Sequence, residues 1–370
     1  MTEYKQCNHC VLDTNDDENI TFDDAGVCNY CISYAELDVS RGTQAERTRW
    51  LENKVDEIHE RGKGHRFNCI AGLSGGVDSS YLALWAKKHD LRPLVVHLDN
   101  SWNSELAVKN IETICERLDY ELYTHVIDWE EFKSLQLAFL RASVVDIEVL
   151  TDHAISAVIN RLAKKYNIKY TLSGFNFATE AIMPKGWTFN KGDWENIKDI
   201  SAKNGGIRHV KTYPHTTFLQ KLFLKYFHRI ESVMVLNYME YDKHDAINVL
   251  KRELDWREYG VKHGESIFTK FYQQYILPVK FGIDKRKAHL SNLICSGMIS
   301  REEALEELEK DICDPHEIQE DKEYVLKKFG LSEKEFDDIM RSPVKKHTEY
   351  KTEQRYWDAY FKLIKVVKMK

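Results

Sequence analysis

Hydrophobic residues along the chain change their spacing several times, and each change marks an element. Over 46–61, Trp50, Leu51, Val55 and Ile58 fall at helical intervals, and Gly62-Lys63-Gly64 ends that helix. A nearly continuous apolar run over 67–73 predicts a buried strand, and 81–88 predicts the amphipathic helix that follows it. The alternation then continues with strands over 93–98, 121–127 and 169–173, and helices over 104–117, 129–142 and 152–166. Strands alternating with helices predict an α/β fold: a parallel twisted sheet with helices on both faces. From about 183 to 230 the periodicity weakens into a long irregular excursion, a lid-like or substrate-loop pattern. A strand-like run over 232–238 and helices over 245–254 and 267–276 come next. Acidic helices over 300–341 look structural. The tail over 345–370 is net basic, with Trp357, Tyr360, Phe361, Ile364 and Val367 at helical spacing. Such a stripe docks on its own domain more often than on a partner or a membrane.

The turn between the first strand and its helix reads Ser74-Gly75-Gly76-Val77-Asp78-Ser79-Ser80. Two glycines allow close approach of the backbone to a ligand. Free N–H groups, hydroxyls and the positive end of the helix then converge on one point, which suits a phosphate or pyrophosphate. No lysine follows the glycines, so the Walker pattern does not apply. Ligands of open parallel sheets bind beyond the carboxyl ends of the strands. Asp99, Asn100, Gly174 and Asn176 stand at two further strand ends and are either nucleotide contacts or ordinary turn formers.

Cysteine placement adds a second piece of chemistry. Cys7, Cys10, Cys28 and Cys31 form C-x2-C-x17-C-x2-C, two close pairs able to close a tetrahedral shell around a structural Zn²⁺; an iron–sulfur cluster is the chemical competitor. The polar residues between the pairs cannot build a core, so metal would supply most of the folding free energy there. The division expected is a four-cysteine zinc module over 1–45, a phosphate-loop domain over 46–240 and a mainly helical region over 241–370.

Between 256 and 289, Trp256, Arg257, Tyr259, Lys262, His263 and Glu265 precede one helix, and Lys285, Arg286 and His289 sit at the start of another. Cations at helix starts oppose the dipole, which makes sense beside anionic ligands; a solvated charged surface is the plainer alternative.

Composition narrows the class. The chain has 370 residues, 43% of them apolar, and a net charge of −6, which argues against a general nucleic-acid binder. It has no apolar run of 18 residues and no secretory h-region at its start, so a soluble, cytoplasmic protein is expected.

The S-G-G-x-D-S turn after a strand resembles the pyrophosphate loop of the ATP pyrophosphatases, a superfamily with an adenine nucleotide alpha hydrolase-like fold. Together with the four-cysteine module, Leu172-Ser173-Gly174-Phe175-Asn176 and the 256–266 and 280–289 segments, the chain resembles the bacterial N-acetyl sugar amidotransferases. That resemblance implies ATP-dependent conversion of an acetamido group on a nucleotide sugar to an acetamidino group, in lipopolysaccharide O-antigen or nonulosonic-acid synthesis. It implies that Ser74, Gly75, Gly76, Ser79 and Ser80 hold pyrophosphate, that Asp78 positions Mg²⁺, and that Asp99, Gly174 and Asn176 contact ATP. Ser74 and Asp78 would act with Lys285 and Arg286 in catalysis. Arg257, Lys262, His263, Glu265, Lys285, Arg286 and His289 would bind the sugar substrate. None of the eight cysteines has a glutaminase elbow and residue 2 is Thr, so the chain shows no recognisable glutaminase of its own; the resemblance implies a separate glutaminase paired with a cyclase-like barrel subunit as the source of ammonia. Two rivals share parts of the pattern. A tRNA thiolase needs sulfur-carrying cysteines that are hard to find here, and a non-catalytic nucleotide-binding zinc scaffold would not need Asp78.

Overall fold

The computed structural model describes residues 3–259 and 264–368, with the side chains of the last helix described to residue 364. Helix α1 (Asn29–Ser40) leads out of the cysteine-rich start. Helix α2 (Gln44–Arg61) begins at a reciprocal Thr43–Glu46 capping box and buries Leu51, Val55 and Ile58. The sheet then forms in the order β1 (Cys69–Gly72), α3 (Val77–Lys88), β2 (Pro93–Asp99), α4 (Glu105–Leu118), β3 (Leu122–Val126), α5 (Trp129–Ala142), α6 (Val149–Lys165), β4 (Tyr170–Ser173).

After β4 come three short helices, α7 (Phe177–Glu180), α8 (Trp194–Lys203) and α9 (Phe218–Phe223), before β5 (Glu231–Met234) completes the sheet. Strand order is β3-β2-β1-β4-β5 and every pairing is parallel, as expected from the alternation. Side chains divide by pleat. Ile70, Leu94 and Val96 pack with α5 and α6, whereas Cys69, Ala71 and Val95 point to the face covered by α2, α3 and α4. The chain leaves β1 for β2 on one side and returns to β4 on the other. The strand order therefore reverses beside β1, and the crevice lies at its carboxyl end.

The remaining helices are α10 (Lys243–Leu254), α11 (Ile267–Phe271), α12 (Lys285–Cys295), α13 (Arg301–Glu309), α14 (Pro315–Phe329), α15 (Glu333–Arg341) and α16 (Gln354–Lys368). Helix α11 widens into π-helical turns over Tyr272–Phe281, where Pro278 lacks the N–H that a regular turn would use. No described helix is long and apolar enough to cross a membrane.

Two segments depart from the sequence reading. The 183–230 stretch is well anchored: the Glu131 carboxylate accepts backbone N–H bonds from Lys211, Thr212 and Tyr213, and Trp187 Nε1 donates to the Asp16 carbonyl. Its helices are too short to show a clear period. The strand expected over 232–238 stops at Met234 and becomes a 3₁₀ turn, Val235–Asn237.

Candidate functional site

Strand β1 is followed by the buried Leu73, and the chain turns at Ser74. Gly75 takes φ +85°, open to glycine with little strain, and Gly76 caps α3 in extended conformation. Ser74 Oγ and Ser79 Oγ lie 3.1 Å apart, and Gly76 N–H donates to Ser74 Oγ at 3.3 Å. The β1–β4 pairing sets Gly174 against the start of α3: a Cβ there would sit 3.3 Å from the Asp78 carbonyl carbon and the Ser79 nitrogen. A cavity of about 400 Å³ opens over this turn, lined by Ser74, Gly76, Asp78, Ser79 and Gly174. Also on its wall are Phe175, Glu180, Lys243, Tyr259 and Glu265. Lys243 is the only cation among these residues.

Asp78 is held from outside the loop. The Tyr241 hydroxyl, from the segment before α10, donates to its Oδ1. Burial first, then the Asp78 charge, pushes the Tyr241 phenol well above its ordinary value, so it stays a donor. A carboxylate oriented at a helix start above two serines suits Mg²⁺ bound to phosphate oxygens.

A second cavity, about 800 Å³, adjoins the first, and Phe175, Glu180 and Lys243 line both. Its wall includes Lys270, Lys285, Arg286 and His289. The cations at the start of α12 are accounted for partly by protein anions. Lys285 pairs with Glu148 at 3.4 Å. Arg286 is committed further: it grips the Asp284 carboxylate at 2.8–3.1 Å and donates to the Lys310 carbonyl at 2.8 Å, closing the end of α13. Its guanidinium serves as a C-cap and helix tie, so the dipole argument that recommended it is met by Asp284 and by carbonyl groups. Lys280 likewise caps α15, donating to the carbonyls of Ile339 and Ser342.

Other expected site residues fall elsewhere. Ser80 is wholly buried on the inner side of α3, away from the cavity. Asp99 Oδ1 accepts from Ser101 N–H at 2.8 Å and shapes the turn after β2, outside the loop cavity. Asn176 is buried as the N-cap of α7. Arg257 has an exposed side chain, and its backbone is pinned by Asn110. Lys262 and His263 lie outside the described residues. The structure adds Glu180, Tyr241, Lys243 and Tyr259 around the loop. Of these only Tyr259 carried a sequence signal, as part of the aromatic-rich 256–266 segment.

The four N-terminal cysteines are buried and converge. Their Sγ atoms stand 3.6–4.0 Å apart in the pairs Cys7–Cys31, Cys10–Cys28 and Cys28–Cys31. Four thiolates on Zn²⁺ at about 2.3 Å lie roughly 3.8 Å from one another in a tetrahedron, which fits. An iron–sulfur cubane, with one thiolate per iron, spreads its ligands further. Backbone N–H groups of His9, Cys10 and Cys28 donate to Cys7 Sγ, as befits a thiolate. These residues would hold the zinc, and it would serve folding rather than catalysis. The module is tied to α12 by Lys287, which bridges Asp13 and Asp16, and by Cys295, whose Sγ is 3.6 Å from that of Cys31.

Comparison with known proteins gives one family match. Residues 265–365 match the model described as "LPS biosynthesis protein WbpG-like, C-terminal domain". This covers α11 to most of α16 and includes Lys285 and His289. No curated protein matches the chain. Among solved structures, an NH3-dependent NAD synthetase from Campylobacter jejuni subsp. jejuni NCTC 11168 is similar over 78% of this chain and 97% of its own, at 16% identity and TM-score 0.31. An NMN synthetase from Francisella tularensis is similar over 60% of this chain and 90% of its own, at 17% identity and TM-score 0.29. The chain is a parallel α/β protein with a glycine- and serine-rich turn at the carboxyl end of β1, and its residues 265–365 are similar to the C-terminal domain of a lipopolysaccharide-synthesis family.

Proposed function

We propose that this chain is an ATP-dependent amidotransferase that turns an acetamido group of a nucleotide sugar into an acetamidino group. The observation that carries the reading is the pair of adjoining cavities. One is built on a phosphate-type turn, the other is wider and lined by Lys270, Lys285 and His289, and Lys243 stands on the wall of both. The similarity of 265–365 to a lipopolysaccharide-synthesis family supports a sugar as the second substrate.

An amide carbonyl is a weak electrophile with no good leaving group. In the proposed route the amide oxygen attacks the α-phosphorus of ATP, the bond to the β-phosphate oxygen breaks, and pyrophosphate departs. Ammonia then adds to the activated carbon and AMP leaves, with loss of a proton, giving the amidine. The serines, the Gly76 N–H and the start of α3 align and neutralise the outer phosphates. Asp78, held by Tyr241, would carry Mg²⁺, which supplies charge neutralisation on the phosphate oxygens. Lys243 is placed to follow negative charge as it moves from one cavity to the other. Ammonia is proposed to come from a separate glutaminase with a cyclase-like subunit. No observation favours thiolation: Cys69, Cys115, Cys295 and Cys313 are all absent from the wall of the loop cavity.

The test is mass spectrometry of an acetamido nucleotide-sugar panel incubated with ATP, Mg²⁺ and ammonium. Success is a loss of about one mass unit (O exchanged for NH) with AMP and pyrophosphate released in equal amounts. Glutamine alone should support no turnover until the glutaminase pair is added. ATP cleavage without sugar modification across the panel, or full turnover by Asp78→Ala, would overturn the reading.

A further inference from the structure

The carbonyl of Gly75 accepts two side-chain hydrogen bonds, from Trp256 Nε1 and from the Tyr259 hydroxyl, each at 2.8 Å. The donors stand 181 and 184 residues downstream, so this is a tertiary contact made to one peptide of the phosphate turn. Two donors occupy both lone pairs of that oxygen.

A trans peptide is planar, with its C=O and N–H opposed. Fixing the Gly75 carbonyl toward Trp256 therefore directs the Gly76 N–H the other way, to the side where Ser74 Oγ sits 3.3 Å from it. Gly-Gly is the sequence in which such a peptide turns over most easily, because neither residue resists positive φ. The turned-over state would aim a carbonyl dipole at the phosphates in place of an N–H.

The donors are themselves held. Trp256 is 2% exposed, packed among Leu73, Ala83, Ile111 and Leu250. Burial pushes the Tyr259 phenol up to about 12, which keeps it protonated and donating. Asn110 on α4 donates to the Tyr259 oxygen at 3.1 Å and clasps both backbone groups of Arg257, at 2.8 and 3.0 Å. A Cβ on Gly75 would meet the Tyr259 hydroxyl at 2.7 Å and the Ala107 carbonyl at 3.0 Å, so the contact is as close as a glycine permits.

We propose that Trp256 and Tyr259 are positioning residues that lock the Gly75–Gly76 peptide with its N–H facing the outer phosphates of ATP. The proposal rests on the reading of the turn as a phosphate site. Tyr259 also lines the loop cavity, whereas Trp256 does not, so Trp256→Phe isolates the lock.

Calorimetric binding of MgATP, magnesium pyrophosphate and AMP is compared for the wild type, Trp256→Phe and Tyr259→Phe, with thermal melting as a folding control. One lost bond near anionic oxygens is expected to weaken MgATP and pyrophosphate about tenfold. AMP affinity should hold, and the melting temperature should fall by only a few degrees, as expected for one buried bond and a small cavity. Gly75→Ala should show the same selectivity, more strongly. Unchanged pyrophosphate affinity in Trp256→Phe, or equal losses for pyrophosphate and AMP, overturns the lock while leaving the phosphate reading intact. A wild type that binds neither MgATP nor pyrophosphate overturns both. If Trp256→Phe does not fold, Gly75→Ala decides by the same criterion, since its Cβ would displace the Tyr259 hydroxyl and Gly75 is not on the cavity wall.

Discussion

At the scale of single residues, the position of a charge in the sequence says less than the partners it finds. Arg286 and Lys243 make the contrast. Arg286 sits in a segment crowded with cations, yet its guanidinium is taken up by Asp284 and by the carboxyl end of α13. Lys243 has nothing around it in the sequence to mark it, yet it stands where the two cavities meet. Replacing Lys243 by Met is expected to lower kcat about a hundredfold, as loss of a charge that stabilises a transferring phosphoryl group does, with the fold unaffected. Replacing Arg286 by Ala is expected to cost about 1–3 kcal/mol of stability through the cap and ion pair it removes. Its kcat should change far less. Steady-state rates beside urea unfolding of the two variants distinguish the roles, and a catalytic collapse in Arg286→Ala with normal stability would reverse the assignment.

At the scale of elements, the turn and its strands were legible because their signals are local. The runs over 67–73 and 93–98 are almost continuously apolar because both faces of β1 and β2 are buried, and glycines and serines punctuate the turn. What the sequence hides is contact across distance. Tyr241 reaching Asp78 and Trp256 reaching Gly75 depend on where α10 and its flanks pack, which no window of local periodicity contains. Helix α12 is a similar case. Its first turn carries Lys285 and Lys287, and its last residue is Cys295 beside Cys31, so one rigid element of 11 residues touches the wider cavity, the acidic loop of the cysteine module and the sulfur cluster. Chelation of zinc is therefore expected to do more than unravel the first 45 residues. Affinity for the nucleotide sugar should fall several-fold while MgATP binding changes little, since the phosphate turn lies on β1 and α3. Parallel titrations before and after chelation, with zinc counted by mass spectrometry, check this. Equal losses for both ligands would argue for general unfolding.

At the scale of the whole molecule, a negatively charged protein carries the proposed phosphate turn in a cavity whose wall includes several carboxylates. Net charge is −6, and among the described residues Asp78, Glu180, Glu265 and Lys243 share the cavity wall. Bulk charge gave no hint of this local arrangement, because only folding gathers residues 78, 180, 243 and 265. For traffic through the proposed site, carboxylates on that wall and the net negative charge of the protein would act as a toll on bare polyanions. Under the proposed function, uncomplexed ATP, carrying close to its full negative charge, would be repelled on approach, whereas the magnesium salt would arrive half-neutralised and leave as the magnesium salt of pyrophosphate. The metal would then commute with each nucleotide instead of residing between turnovers. Excess free ATP should accordingly be a poor competitor of the magnesium complex in initial-rate experiments; strong competitive inhibition by it would contradict this picture.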